Sequence, residues 1–456
     1  MKPPAPQVAP QLASAPRLVE IGKPIYGGAF LARALGKALF VPLALPGEQA
    51  RVRIVEDKRG YATAEATEIL APAPGRVVPE CRHFGACGGC HYQHAAYAAQ
   101  LDFKQAILRE TLERGGVRAP ETISVLSAEP WAYRNRIRLA FDAEGNSGYR
   151  GRRSHAVVPI AECPIAAPLL VRAAEAAAEI ARRLPPVQRP AEISLFCNAE
   201  ESALLVEIST LSLTKLLFED FCRALAGRIP ELIGAEYTTT DRSGRSLRTV
   251  ARWGAASLSY RAGGFEYRVD HGAFFQVNRW LTDALVEQVT DGLSGALAWD
   301  LFAGVGLFAR RLASGFARVI AIESAPSAIA ALAHNLRGTG ASAVKATTLD
   351  FLRRAHRSRS KGFEPPNLIV VDPPRTGLGA ETTALLAQIA APALVYVSCD
   401  PATLARDLRT LLATGYVIQN IALADLFPQT FHIETVVRLH RIERLAQTSL
   451  TVSSHS

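Results

Sequence analysis

From Phe265 onward, short apolar runs alternate with stretches whose apolar residues recur every three to four positions. The runs read "LAWDLF", "RVIAIES", "AVKATTLD", "PNLIVVDPPR", "ALVYVSCD", "YVIQNIALADLF" and "ETVVRLHRI". Between them lie "GLFARRLA", "PSAIAALAHNLRGTG", "ETTALLAQIA" and "PATLARDLRTLLATG". Apolar strands separated by amphipathic helices predict an α/β fold with a parallel, doubly wound sheet, in which ligands sit beyond the carboxyl ends of the strands. From Leu18 to Leu70 the texture differs: alternating apolar positions punctuated by Gly27-Gly28, Gly36-Lys37 and Pro46-Gly47 predict a small β-barrel of four or five strands. A Pro/Gly/Cys loop over 72–94 leads to helical spacing over 95–116, ended by Gly115-Gly116, and a mixed α/β pattern follows from Trp131 to about Tyr260. The Pro/Ala/Gln-rich start lacks apolar periodicity. The organisation read from this is a disordered tail (1–16), a barrel (17–72), a central mixed α/β domain (73–264), an α/β domain (265–445) and a second tail (446–456).

Length and charge narrow the classes. At 456 residues the chain exceeds one ordinary core, and its +9 net charge favours a polyanionic partner. A barrel of this size often offers a basic face to single-stranded nucleic acid. Within "YRNRIRLAF", Arg134, Arg136 and Arg138 recur at period two, which on a strand places all three on one face; Arg150, Arg152 and Arg153 follow. Such a stripe suits phosphate contact, or a solvated strand face. Neither a transmembrane run nor a secretory leader is indicated, so a cytoplasmic protein without membrane contact is expected, with its seven cysteines reduced.

Candidate chemistry lies at the strand ends, where Asp300, Glu323, Asp350, Asp372 and Cys399 fall. "DLFAGVGLFA" places Gly304 and Gly306 between a strand and a helix, where the backbone can approach a ligand. Glu323 ends the next strand, placed either to accept ribose hydroxyls or to favour a helix N-terminus. No lysine follows the glycines as a phosphate anchor requires, so an adenosine ligand without a triphosphate fits, S-adenosylmethionine being the common one. "VVDPPR" holds Asp372 rigidly at a strand end through Pro373-Pro374. Carbon 5 of uracil is barely nucleophilic until a group adds to carbon 6. A thiolate suits that addition, and a separate base then removes the carbon 5 proton. Cys399 in "VYVSCDP" and Glu434 in "FHIETVVRL" are the candidates, against the plainer readings of a buried thiol and an edge-strand carboxylate.

Cys81, Cys87 and Cys90 stand as C-x5-C-x2-C, with Cys163 far downstream in "ECPI". Three close thiols and one distant one make a four-ligand site for a [4Fe-4S] cluster or structural zinc, the spacing and the Cys-Pro ligand tilting toward the cluster.

Together these residues resemble the RNA 5-methyluridine methyltransferases, closest to the iron-sulfur 23S ribosomal RNA members, over residues 17–442. "FVPLALPGEQARVRI" looks like a TRAM domain and "CRHFGACGGCHYQH" with "ECPI" like the family's iron-sulfur motif. "YRNRIR", "FFQVN", "DLFAGVG", "VVDPPRTGL", "VSCDPATLARDL" and "DLFPQTFHIETV" follow in the family's order. The resemblance implies Cys399 as nucleophile and Glu434 as base. It implies contact of Gln276, Phe302, Glu323 and Asp372 with S-adenosylmethionine, Asp350 lying near the adenine. It also implies a monomer acting on RNA, most naturally 23S ribosomal RNA, with no obligatory protein partner. Leu307 stands where the family is often polar, and Ala303 replaces a frequent cysteine. Asp400 replaces an asparagine after the nucleophile, where its charge would raise the thiol's pKa. The rivals are the same chemistry on a transfer RNA uridine, an RNA cytosine-5 methyltransferase, and a non-catalytic RNA-binding protein.

Overall fold

The structure is a computed structural model and describes residues 15–210, 212–240, 246–358 and 364–442; the expected tail segments before residue 15 and after 442 lie outside the described residues. Two compact units interleave along the chain. One comprises residues up to Arg109, Ala128–Ala256 and Asp425–His432; the other comprises Glu110–Ser127, Ser257–Ala424 and residues from Ile433 on.

The first unit opens with β1 (Arg17–Ile25), β2 (Ala29–Ala34), β3 (Lys37–Pro42), β4 (Gln49–Asp57) and β5 (Tyr61–Ala71), which close into a barrel in the order β1-β2-β3-β5-β4. The period-two pattern puts Val19, Ile21, Phe30, Leu39, Val41 and Val52 inside, with Tyr92 and Ala95 from the following loop packed against them. After α1 (Tyr97–Arg114) and β6 (Ser124–Leu126), the chain forms β7 (Arg136–Phe141), β8 (Ser147–Arg150), β9 (Val157–Pro159), α2 (Pro168–Arg182), β10 (Glu192–Cys197), β11 (Leu204–Thr210), α3 (Lys215–Ala226), β12 (Leu232–Thr240) and β13 (Ser246–Gly254). These strands make a sheet ordered β13-β12-β11-β10-β7-β8-β9, with α2 and α3 packed on its apolar side.

The second unit continues with the hairpin β14 (Ser257–Ala262) and β15 (Phe265–Asp270), then α4 (Thr282–Thr290), β16 (Gly295–Leu301), α5 (Leu307–Leu312), β17 (Phe316–Glu323), α6 (Pro326–Asn335), β18 (Ala341–Lys345), α7 (Thr348–Arg357), β19 (Leu368–Val371), α8 (Ala380–Ile389), β20 (Ala393–Ser398), α9 (Pro401–Ala413), β21 (Tyr416–Ala424) and β22 (Glu434–Arg441). The sheet runs β18-β17-β16-β19-β20-β22-β21-β6. β16 to β20 pair parallel, as the alternation predicts, but β22 runs antiparallel to both β20 and β21. That reversal brings the first residue of β22, not its last, to the carboxyl edge of the sheet: Ser398 pairs with Thr435, so Cys399 and Glu434 lie one residue beyond a paired rung. β22 is an interior strand, which removes the edge-strand reading of Glu434. Among the described residues no helix is long and apolar enough to cross a membrane.

Candidate active site

The turn from β16 to α5 carries backbone strain of the kind found in ligand-facing loops. Phe302 sits at φ +67°, a costly conformation for an aromatic residue, followed by Gly304 at +54° and Gly306 at +93°. A Cβ on Gly304 would meet nothing within 4 Å, so the loop leaves a cradle open, whereas one on Gly306 would come within 2.7 Å of Leu332 Cδ1. Gln276, Phe302, Gly304, Leu307 and Asp372 line one narrow cavity with Phe274 and Phe275. Glu323 stands behind the loop: its Oε2 accepts from Gly304 N–H at 2.8 Å, and its Oε1 accepts from Ser324 and Ala325 N–H, each at 2.6 Å. Glu323 thus ties the glycine turn to the segment that leads into α6.

Asp300 is fully buried in β16; one oxygen accepts from Ala309 N–H at 2.9 Å, and Oδ1 has no hydrogen-bond partner. Burial, with Asp372 and Glu323 adding like charge, pushes its pKa up to about 8 against the pull of the Ala309 N–H. The open side of Gly304 and the cavity beside it leave room for the close backbone approach of a nucleoside ligand, as S-adenosylmethionine is. Asp350 lies outside the residues lining the cavity. It occupies the first turn of α7, where its N–H donates to Thr347 Oγ1 at 3.1 Å and its carboxylate accepts from the Thr347 hydroxyl at 2.8 Å. Thr347 is the N-cap of α7 and its hydroxyl bridges the Asp350 N–H and carboxylate, so Asp350 opens a helix and does not end a strand.

At the ends of β19, β20 and β22 the structure brings Asp372, Cys399 and Glu434 within electrostatic reach of one another. Burial first, then Glu434 and Asp372, push the Cys399 thiol up to about 12, and Arg375 opposes them. Burial and Asp372 likewise push Glu434 well above the usual carboxylate range, again opposed by Arg375. Burial raises Asp372 to about 7. Arg375 is therefore the local counter-charge, a role that "VVDPPR", read only for the rigidity it gives Asp372, did not announce. Asp400 does not act on the thiol as expected. Its carboxylate turns to the N-terminus of α9, accepting from Ala402 N–H at 3.1 Å and Thr403 N–H at 2.8 Å, where an acidic N-cap is favoured.

The expected arginine stripe is divided. Arg138 pairs with Glu192, Arg136 stacks over the Phe196 ring at 4.1 Å, and Arg134 precedes β7 with its Nε buried and unpartnered. In the same unit, Tyr26, Phe40, His91, Arg138, Arg150, Arg152 and Arg153 line a cavity of about 1110 Å³, with glycines at 27, 28, 88, 89, 148 and 151.

Cys81, Cys87, Cys90 and Cys163 converge in the first unit. Gly88 N–H donates to Arg150 O at 3.0 Å, Arg152 N–H to Ala86 O at 2.9 Å, and Arg134 N–H to Ile165 O at 2.9 Å, so the thiol loop and the Cys163 turn meet around β8. Cys87 lies in the field of Cys81 and Cys163, and Cys90 in that of Cys87 and Cys163. Among the described residues no three His, Cys, Asp or Glu side chains are set to hold a single metal ion. Cys90 and Cys163 lie in the field of Arg134, whose Nε is buried without a hydrogen-bond partner.

A family model for tRNA (Uracil-5-)-methyltransferase matches residues 254–442, and one for the TRAM domain matches 17–67. An "Uncharacterized RNA methyltransferase" of Nitratidesulfovibrio vulgaris is 34% identical over 446 residues, covering 91% of this chain and 94% of its own. The 23S rRNA (uracil(1939)-C(5))-methyltransferase RlmD of Klebsiella pneumoniae (strain 342) is 32% identical over 428 residues, covering 91% and 93%. The Pyrococcus abyssi tRNA (uracil-54, C5)-methyltransferase in complex with S-adenosyl-L-homocysteine aligns with a TM-score of 0.74 at 25% identity, covering 92% of this chain and 99% of that one. Fold and site define an S-adenosylmethionine-dependent methyltransferase. The chain belongs to the RNA uracil-5-methyltransferase family, whose amino-terminal barrel here is a TRAM domain.

Proposed function

We propose that this enzyme methylates carbon 5 of a uridine in 23S ribosomal RNA through a covalent Cys399 adduct, with Glu434 removing the carbon 5 proton. The observation that carries the reading is the convergence of Cys399, Glu434 and Asp372 at one sheet edge, with Arg375 as counter-charge. Cys399 gives up its proton to solvent, an ionisation that Arg375 favours. The thiolate adds to carbon 6 and the electron pair of the carbon 5–carbon 6 double bond moves into an enolate, leaving carbon 5 electron-rich. Bound S-adenosylmethionine supplies an electrophilic methyl group to that carbon. Glu434 then takes the carbon 5 proton, and the sulfur–carbon 6 bond breaks as the double bond reforms. Gln276, Phe302, Glu323 and Asp372 would hold the cofactor, Asp350 contributing near the adenine only if its cap opens. The target base must leave its stack to reach the half-buried thiol at the sheet edge. The glycine-lined cavity of the first unit, with Arg150, Arg152 and Arg153, would track the flanking RNA backbone.

The ribosomal substrate is supported by the RlmD relatives, while the Pyrococcus structure keeps a transfer RNA uridine as the second reading. A strain lacking the gene is expected to lose 5-methyluridine from 23S RNA, mapped by nuclease digestion and mass spectrometry. Loss from transfer RNA alone would move the substrate, and loss from neither would sink the enzymatic reading. The four thiols would hold a [4Fe-4S] cluster that braces the loop and takes no part in methyl transfer. Protein purified without oxygen is then expected to be brown, with four irons per chain as the name of the cluster requires, and Cys87→Ser to lose iron and melt lower. Colourless protein carrying zinc would refute the cluster.

A further inference from the structure

α9 carries a carboxylate on its buried face. Leu404, Asp407, Leu408 and Leu411 are all buried, and Asp407 is the one charge among them. Its Oδ2 accepts from the Tyr396 hydroxyl and from Leu378 N–H, each at 2.8 Å, and its Oδ1 accepts from Arg406 Nε at 2.9 Å. Arg406 Nη2 reaches on to Thr376 O at 2.9 Å, and Thr403 Oγ1 donates to Arg375 O at 3.2 Å. Gly377, at φ +71°, packs so closely that a Cβ would lie 2.6 Å from both Arg406 Nη2 and Asp407 Oδ2. Each residue from Arg375 to Leu378 is thus gripped by one helix, and that helix begins two residues after Cys399.

A leucine would fill the Asp407 site at lower desolvation cost, since burying a charge is expensive unless its partners are well placed. What the carboxylate achieves instead is to bind the turn after Asp372 to the helix after Cys399 and, through Tyr396, to β20 itself. We propose that Asp407, with Thr403 and Arg406, is a positioning residue that keeps Arg375 within reach of Cys399 and Glu434. The proposal rests on the assignment of Cys399 as nucleophile. The charged groups acting on that thiol are Glu434 from β22, Asp372 from the end of β19 and Arg375 from the turn. Displacing Arg375 leaves two carboxylates unopposed and disfavours the thiolate.

The test is the alkylation rate of Cys399 in the full chain without RNA, resolved by peptide mass spectrometry across a pH series. Asp407→Asn puts an amide nitrogen where donors converge and is expected to slow alkylation about tenfold at a given pH, a displacement of one pKa unit. Arg375→Met is expected to give the same displacement, and the double variant no more than either. Thr403→Val, which removes the hydroxyl shared between the Arg375 and Asp400 carbonyls and leaves Asp407 in place, is expected to move the rate in the same direction and serves if Asp407→Asn does not fold. A lower melting temperature with an unmoved pH profile would overturn the proposal, as would additive shifts in the double variant. Because alkylation reads the thiol without RNA, a wild-type enzyme inactive on RNA would refute the proposed function and leave this result separately readable.

Discussion

Cys399, Glu434 and Asp372 could be picked out from the sequence because each stands at a boundary between an apolar strand and a turn, where side chains reach a ligand. Asp400 could not be read the same way. Beside a cysteine it suggests a charge acting on the thiol, yet the next helix needs an acceptor for its free N–H groups, and that nearer demand takes the carboxylate. Asp407 left a visible trace, a charge at a leucine-spaced position in "LARDLRTLL", which signals buried donors. Asp300 makes a prediction at this scale. With its pKa raised to about 8, the folded state favours the neutral acid, so its contribution to stability is full below the unfolded value near 4 and lost as pH rises through about 8. Asp300→Asn cannot ionise and keeps an acceptor for Ala309 N–H. The melting temperature of the variant minus that of wild type is therefore expected to increase between about pH 5 and pH 9. A difference independent of pH would show that Asp300 is not held neutral.

Among the elements, the alternation of runs announced the strands and helices of the second unit, and punctuation announced the barrel. The direction of β22 was not legible, because an antiparallel final strand has the same period-two pattern as a parallel one. That direction decides whether Glu434 or Arg441 meets the carboxyl edge. The segment Asp425–His432 was also opaque. It belongs to the first unit, where Lys104 on α1 donates to Asp425 at 2.5 Å and to Phe427 O at 2.9 Å, and Tyr97 donates to Asp425 at 2.9 Å. Gln100 and Gln429 exchange amide bonds at 2.9 and 3.0 Å. Tyr97, Gln100 and Lys104 share one helix face, a polar stripe facing inward where composition alone suggests solvent. Lys104 and Asp425 are fully buried, so Lys104→Met strands a buried carboxylate and is expected to cost about 3–5 kcal/mol in denaturant unfolding. The double variant Lys104→Met/Asp425→Asn should recover part of that loss. A cost below about 1 kcal/mol for the single variant would mean that water reaches the pair.

For the molecule as a whole, the ordered motifs made the family legible across both units, whereas the interleaving of those units was hidden, since linear texture carries no record of a segment returning to an earlier fold. The +9 charge pointed to a polyanion, but the structure spends part of it internally: Arg138 on Glu192, Arg136 on an aromatic ring, Arg134 beside the thiols. The arginine and glycine surface at the barrel cavity is the RNA contact proposed above. Cys399 and Glu434 divide the proposed chemistry between them, one bonding to carbon 6 and the other taking the carbon 5 proton. Glu434→Gln, incubated with ribosomal RNA and S-adenosylmethionine and digested with protease and nuclease, is expected to yield the Cys399 peptide joined to a methylated uridine, a species absent from Cys399→Ala. An adduct on another cysteine, or methylated RNA released freely by Glu434→Gln, would contradict the account.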